Sequence, residues 1–256
     1  WQLAQAKALG AERVAVAMSC SLVQRGALPL LPEAVRTRSA LTCGADLVFA
    51  LPAPCACAGA EAFARAGVAL LAAAGCDGLV FGAETPDAAL LMEAAELLDS
   101  GSYRAALKAQ LAGGARSFAA ARQTAAAKLA SDERVAALLD KPNNNLAVEY
   151  CRAIRSLAPR MEAYPLPRQG ANHGEALHSA HGQFASASAL RKLWAEGGAD
   201  AVAPYVPEAV FPLYQEAYAA GQYTDFSAAG RCELALLRSA CRGKAPFADI
   251  RGVSEG

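Results

Sequence analysis

The chain has 256 residues, 54% of them hydrophobic, and its 24 Lys and Arg balance 24 Asp and Glu. That length and apolar content exclude a disordered chain and suit one large domain, or one domain with a helical appendage. Charge neutrality removes a global positive field as a sign of nucleic-acid binding, and the longest uncharged run, Leu47 to Ala60, holds Pro52 and Pro54 and is too short to span a bilayer.

In chain order, Trp1 to about Leu9 reads as a helix already under way, so no signal peptide is expected. Glu12-Arg-Val-Ala-Val-Ala-Met18 is a buried strand, Ser19 to Pro32 a loop holding Gln24-Arg25-Gly26, and Glu33 to Cys43 a helix. Asp46-Leu-Val-Phe-Ala-Leu51 is a second strand stopped by Pro52 and Pro54, Gly59 to Ala74 a helix, and Gly78-Leu-Val-Phe81 a third strand. Short apolar strands alternating with longer helices predict an α/β fold with a doubly wound parallel sheet. Ligands in that architecture sit at the carboxyl ends of the strands, which points to Met18-Ser19, the residues after Leu51, and Gly82-Ala-Glu84.

Pro86 to Leu139 is helical in composition, broken by Gly101 and by Gly113-Gly114, and its basic residues read as a solvated face. Lys141-Pro-Asn-Asn-Asn145 opens a helix through Arg155; the asparagines can cap it or read an adenine or ribose edge. Glu162 to Pro167 is a strand-like link, and Arg168 to Gln183 a polar loop with His173, His178 and His181 in no zinc spacing. From Lys141 to Lys192 seven Lys or Arg face three Glu, making this the basic part of a neutral chain. After Gly197, Pro204, Pro207 and Pro212 punctuate short helices, and Arg231 to Arg242 is an amphipathic helix whose apolar face is expected to pack on the α/β domain. The eight cysteines form no C-x-x-C pair and read as reduced, mostly buried thiols of a cytosolic protein.

The stretch Phe184-Ala-Ser-Ala-Ser-Ala-Leu-Arg-Lys-Leu-Trp194 is a loop turning into a helix. Ser186 and Ser188 suit a helix start, and free N–H groups, two hydroxyls and Arg191 together would hold an anion. A capped surface helix is the plainer reading of the same residues.

Taken in order, Val16-Ala-Met-Ser19, Val23-Gln-Arg-Gly26, Gly44-Ala-Asp-Leu-Val48, Leu51-Pro52, Ala60-Glu-Ala-Phe-Ala64, Leu79-Val-Phe-Gly82 with Glu84, Lys141-Pro-Asn-Asn144, Glu149-Tyr150 and Ala185 to Lys192 resemble the bacterial tRNA(Met) cytidine acetate ligase family, a branch of the nucleotidylyltransferase superfamily. The resemblance runs over nearly the whole chain. It implies a Rossmann-like ATP-binding domain of nucleotidylyltransferase type over 1–196, with a helical insertion at about 86–140, and a helical region over 197–256. It further implies a cytoplasmic enzyme, without a membrane partner, that activates acetate with ATP as acetyl-adenylate and acetylates N4 of the wobble cytidine of elongator tRNA(Met), with Mg2+ entering as the ATP complex. By the same resemblance Gly82, Asn144, Arg168, Ser186, Ser188 and Arg191 would bind ATP, Ser186 and Arg191 would act in catalysis, no metal would be held by the protein, and Gln24 and Arg25 would face the reacting groups or the tRNA.

The departures are specific. The family opens with a strand and a His-x-Gly-His motif that this chain, as written, starts after, so its catalytic histidines are expected to be missing and a central sheet edge to be exposed. Where the family runs Glu-Pro and then Asp-Lys-Trp, this chain has Ala27-Leu28 and Pro32-Glu33-Ala34; Ser21 and Ala50 replace an asparagine and a glutamate. At Gly252 to Gly256 it stops where the family continues into further RNA-binding helices. A homologue with a decayed catalytic site, acting as a nucleotide- or RNA-binding protein, is the alternative function. A superfamily member that transfers a nucleotidyl group to a phosphorylated small molecule fits the Lys141 and Ala185 segments less well.

Overall fold

The computed structural model describes residues 1–24, 26–115, 117–168 and 185–240. Arg25, His173, His178 and His181 lie outside them, as does everything after Ala240. The first part of the chain runs α1 (Gln2–Ala8), β1 (Ala15–Ser19), α2 (Glu33–Thr42), β2 (Leu47–Leu51), a single turn α3 (Ala53–Ala56), α4 (Ala60–Ala73) and β3 (Gly78–Ala83). Four helices follow, α5 (Ala88–Asp99), α6 (Gly101–Ala112), α7 (Phe118–Leu129) and α8 (Glu133–Leu138), then α9 (Pro142–Leu157) and β4 (Glu162–Pro167). The last part holds α10 (Ala187–Val202), a 3-10 turn at Ala203–Tyr205, α11 (Phe211–Ala219) and α12 (Phe226–Ala240).

Local chemistry explains many of these boundaries. Asp87, Ser100, Ser117, Asp132 and Ser186 each accept a backbone N–H from the first turn of α5, α6, α7, α8 and α10, satisfying donors that a helix start leaves unpaired. The turn α3 follows from Pro52 and Pro54, whose fixed φ suits a helix start.

The strands form two parallel pairs. β1 runs beside β2 from Ala15↔Leu47 to Ser19↔Leu51, and β3 beside β4 from Gly78↔Glu162 to Ala83↔Pro167. The expected strand-like link at 162–167 is thus a full partner of β3, and Pro165 and Pro167 suit a strand with an unpaired edge. Among the described residues no ladder joins the two pairs, yet they share one core. Ala15, Ala17 and Phe49 pack against the cluster that holds Leu79, Phe81 and Ala83 of β3.

Helix α4 covers β1 and β2, α9 covers β3 and β4, and the two helices lie against each other. Their buried faces include Ala64, Gly67 and Val68 in α4 and Ala147, Val148 and Cys151 in α9, small residues that suit close packing. Along β3 Leu79, Phe81 and Ala83 point into this core, so Gly82 faces the other way. There it meets Gln2 at the start of α1, which puts helices on both sides of the strands. Asp46 fixes the other end of α1, accepting from Val14 N at 2.8 Å, Arg13 Nη1 at 2.9 Å and Lys7 Nζ at 3.2 Å. The Val14 N–H, helped by Arg13 and Lys7, holds its carboxyl down at about 2.

A second cluster joins Leu31 and Val35 to Trp194, Ala199, Val202 and Ala217, tying α2 to α10 and α11. Tyr214, Tyr218 and Tyr223 surround Trp194, with Tyr218 and Tyr223 stacked at 5.3 Å. Two expectations are corrected. The face of α12 that was expected to pack is open, with Leu234, Leu236 and Leu237 between 48% and 71% exposed. Of the seven described cysteines Cys151 is buried, while Cys43 and Cys232 are exposed, because alanine-rich surroundings are as available on a surface as in a core.

Two positions test this packing. Glu149, 3% exposed, takes Arg122 on one carboxylate oxygen and Arg152 on the other, each at 2.7 Å, and Arg152 also reaches Asp99 at 2.8 Å. Glu149→Ala leaves two guanidinium groups without their buried anion, and urea unfolding is expected to show a loss of about 3–5 kcal/mol. Gly198 has φ +67, and a Cβ there would lie 2.5 Å from Cζ of Tyr218. Gly198→Ala is expected to cost about 1–3 kcal/mol and to shift the fluorescence of Trp194.

Candidate functional site

The ends of β3 and β4 stand side by side, and Arg168 extends the ladder by donating its N–H to Ala83 O at 3.1 Å. A methyl group on Gly82 would make ordinary contacts, 3.6 Å from Arg168 Cγ and 3.9 Å from Gln2 Nε2. The fold itself therefore does not demand glycine here. The missing side chain leaves space between an exposed arginine and the start of α1, at the strand end where α/β folds take ligands.

Glu84 and Thr85 follow directly and meet the start of α9. Glu84 Oε1 accepts from Asn143 N at 3.2 Å and from Asn143 Nδ2 at 2.6 Å, and Oε2 accepts from Asn144 N at 2.6 Å. A carboxylate is well placed at a helix N-terminus, where unpaired N–H groups and the helix dipole both favour negative charge. Burial alone would raise the Glu84 pKa, but these hydrogen bonds outweigh it and hold the carboxyl below its ordinary value. The asparagines were expected to cap this helix with their own side chains; the acceptor instead comes from Glu84, and no side chain at the N-cap position does that work.

Asn144 is fully buried. Its Oδ1 accepts from Thr85 N at 2.9 Å and its Nδ2 donates to Thr85 Oγ1 at 3.1 Å, so its amide locks α9 to the segment after β3. Asn145 turns away and donates to Leu139 O and Lys141 O. The structure thus brings together Gly82, Asn144 and Arg168, with Glu84 and Thr85 as the residues that join them. The role of Thr85 was absent from the sequence reading. Nothing local in the sequence marks a contact between positions 59 apart.

The serine-rich helix start occupies a different part of the fold. Ser186 caps α10 by accepting from Ala189 N at 3.2 Å, Ser188 is exposed, and the Arg191 guanidinium lies 6.0 Å from the ring centre of Phe226. Among the described residues no hydrogen bond or ion pair links this group to Gly82, Asn144 or Arg168. Gln24 sits in a turn closed by Val23 N to Ala27 O and Gly26 N to Val23 O, where Gly26 supplies the left-handed φ of +72. Among the described residues no group of three or more His, Cys, Asp or Glu can hold a metal ion, and no helix is long and apolar enough to cross a membrane.

The HIGH Nucleotidyl Transferase family matches residues 1–256. A tRNA(Met) cytidine acetate ligase of Syntrophotalea carbinolica is 40% identical over 196 residues, covering 76% of this chain and 46% of that protein. One from Caldanaerobacter subterraneus is 34% identical over 250 residues, covering 95% of this chain and 60% of that protein. The chain therefore spans about half of the length of the curated relatives it matches. Among solved structures, Thermotoga maritima TmcAL in its apo form matches with a TM-score of 0.78 and 28% identity, over 86% of this chain and 53% of that one. The same enzyme bound with alpha-thio ATP matches with a TM-score of 0.75 and 27% identity, over 86% of this chain and 52% of that one.

The junction at Glu84 has a pH signature. Its folded pKa is depressed, so its contribution to stability is present above the ordinary value of 4.5 and is lost as pH falls through the lower folded value. Glu84→Gln is expected to cost about 1 kcal/mol near neutrality, and urea midpoints of the two proteins should converge in acid. A gap that stayed constant down to about pH 3 would show that the charge plays no part.

Proposed function

We propose that this chain, which belongs to the HIGH nucleotidyl transferase family, carries the ATP-binding site of a tRNA(Met) cytidine acetate ligase. The observation that carries the reading is the meeting of Gly82, the Glu84–Asn144 junction and Arg168 at the end of β3 and β4. The match to a ligase structure bound with alpha-thio ATP supports it.

In this reading ATP is a substrate. An acetate oxygen attacks the α-phosphorus, the bond to pyrophosphate breaks, and acetyl-adenylate forms; the cytidine N4 amine then attacks the acetyl carbon, AMP leaves, and the amine gives up a proton. Acetate is a weak nucleophile, so the protein contributes mainly position and fixed positive charge. Arg168, exposed beside the gap at Gly82, supplies charge to the phosphates. Asn144 acts by position, holding the first turn of α9 against the strand end while its own amide stays with Thr85.

Ser186, Ser188 and Arg191 form a second anion-holding element at the start of α10. Because α10 belongs to the Trp194 cluster, its use on the same ATP requires that cluster to stay packed. Mg2+ enters as the complex with the ATP phosphates. Elongator tRNA(Met) is the acceptor, and Gln24, on the loop after β1, is assigned to the reacting groups or to the tRNA. A cytoplasmic setting follows from that substrate.

The test is acetate-dependent exchange of labelled pyrophosphate into ATP, measured on the full gene product. Arg168→Ala is expected to raise the KM for ATP roughly ten- to hundred-fold, the worth of hydrogen bonds to a charged group. Arg191→Ala is expected to abolish the exchange. ATP binding without exchange would favour instead a nucleotide-binding protein whose chemistry has been lost.

A further inference from the structure

A cleft of about 440 Å³ opens beyond the end of β1, lined by Cys20 and Ser21, by Leu28 to Glu33 in part, and by Gly221 to Thr224. Its volume is that of a small-molecule site. Its two walls are far apart in sequence and are tied by hydrogen bonds. Thr224 N donates to Leu30 O at 2.8 Å and Thr224 Oγ1 to Pro29 O at 2.6 Å. From behind, Arg36 donates to Ser19 O at 2.7 Å, to Leu31 O at 3.0 Å and to Cys20 O, while the Cys20 thiol donates to Leu51 O. The cleft is therefore built into the fold.

Its chemistry selects among ligands. Among the described residues the lining carries one acidic side chain, Glu33, and no Lys or Arg. Arg36 stands within electrostatic reach of Glu33, but its guanidinium is committed to three carbonyl oxygens. A phosphate would find no uncommitted cationic donor among these residues, whereas a neutral ring with an exocyclic amine would find an acceptor. Tyr223 supplies the platform: Tyr218 stacks on it and Trp194 meets it edge-on at 5.7 Å, yet it stays 36% exposed on the cleft. A planar base stacked on a fixed tyrosine, with its amine donating to a carboxylate, matches cytosine, whose N4 is a donor where uracil has an acceptor.

We propose that this cleft seats the cytosine base that is to be acylated, its ring on Tyr223 and its exocyclic amine donating to Glu33. The assignment rests on the ligase reading and adds to it an acceptor site separate from the phosphate-binding end of β3 and β4. Glu33 and Tyr223 are positioning residues, and Glu33 stands at the exposed start of α2, where its replacement does not disturb the core.

Calorimetric titration of the protein with cytidine and with uridine tests this directly, the neutral nucleosides avoiding any phosphate contribution. Cytidine is expected to bind roughly ten-fold more tightly than uridine. Glu33→Gln should bring that ratio close to one, leave ATP affinity unchanged and leave the circular dichroism spectrum as it was. Tyr223→Phe should keep the preference, while Tyr223→Ala should weaken both nucleosides if the variant remains folded. Equal affinity for the two nucleosides in the unaltered protein, or no binding of cytidine up to its solubility, overturns the proposal. So does adenosine binding more tightly than cytidine in a manner that depends on Glu33, which would make the cleft an adenine site. A protein that binds ATP but shows no cytidine preference loses this acceptor site alone. One that prefers cytidine but fails to exchange pyrophosphate loses the ligase chemistry and keeps the cleft.

Discussion

The two oxygens of Glu84 join the carboxyl end of β3 to the first turn of α9, and much of the domain depends on that junction. Helix α9 touches α4, α5, β3 and β4, so a shift in its register would move each of them. The N–H groups of Asn143 and Asn144 need acceptors because a helix start offers none of its own. The buried Asn144 amide needs partners as well, and Thr85 meets it with both a donor and an acceptor. These contacts agree on one register, since sliding α9 by one residue would leave a buried amide and a carboxylate unpaired.

Polar fixing of this kind matters more in a chain so rich in alanine. Alanine faces pack closely, as α4 and α9 do, but they present few distinct shapes by which one register can be told from its neighbours. Directional contacts supply what shape does not. Glu149, within two turns of Glu84's partners, takes Arg122 from α7 and Arg152 from its own helix, and Arg152 passes the connection on to Asp99 of α5. One helix thus carries a cap at its start and an ion-pair network at its middle, with apolar contacts between them.

The strands were legible because each is a short apolar run bounded by turn residues, and even the proline-containing segment 162–167 read as extended. The breaks in the long helical stretch were visible at Gly101 and Gly113, although the residues that set the starts are Ser100 and Ser117. What the sequence hid depends on contacts between distant residues. Lys141-Pro-Asn-Asn-Asn145 announces a helix start, but its acceptor lies in a different motif, and the side chains of the three asparagines go to different partners. The open face of α12 was hidden for a related reason. An amphipathic pattern says that a face is apolar, not what covers it. Gly82 and Arg168 were named through family resemblance, and their adjacency follows only from the β3–β4 register.

Charge separates two demands that the proposed reaction makes at once. Triphosphate needs cations close by, whereas the exocyclic amine of a neutral base needs a hydrogen-bond acceptor and an aromatic plane. Were Arg168 and Glu33 in one pocket, they would pair with each other and each would lose its use to a ligand. The fold assigns them to different strand pairs, Arg168 beyond β4 and Glu33 at the helix after β1. In this chain position 33 carries glutamate where the resembled family has lysine, which makes the cleft poorer for anions and better for an exocyclic amine. In the proposed reading the reversal at position 33 therefore fits a cleft that takes a base and not a phosphate.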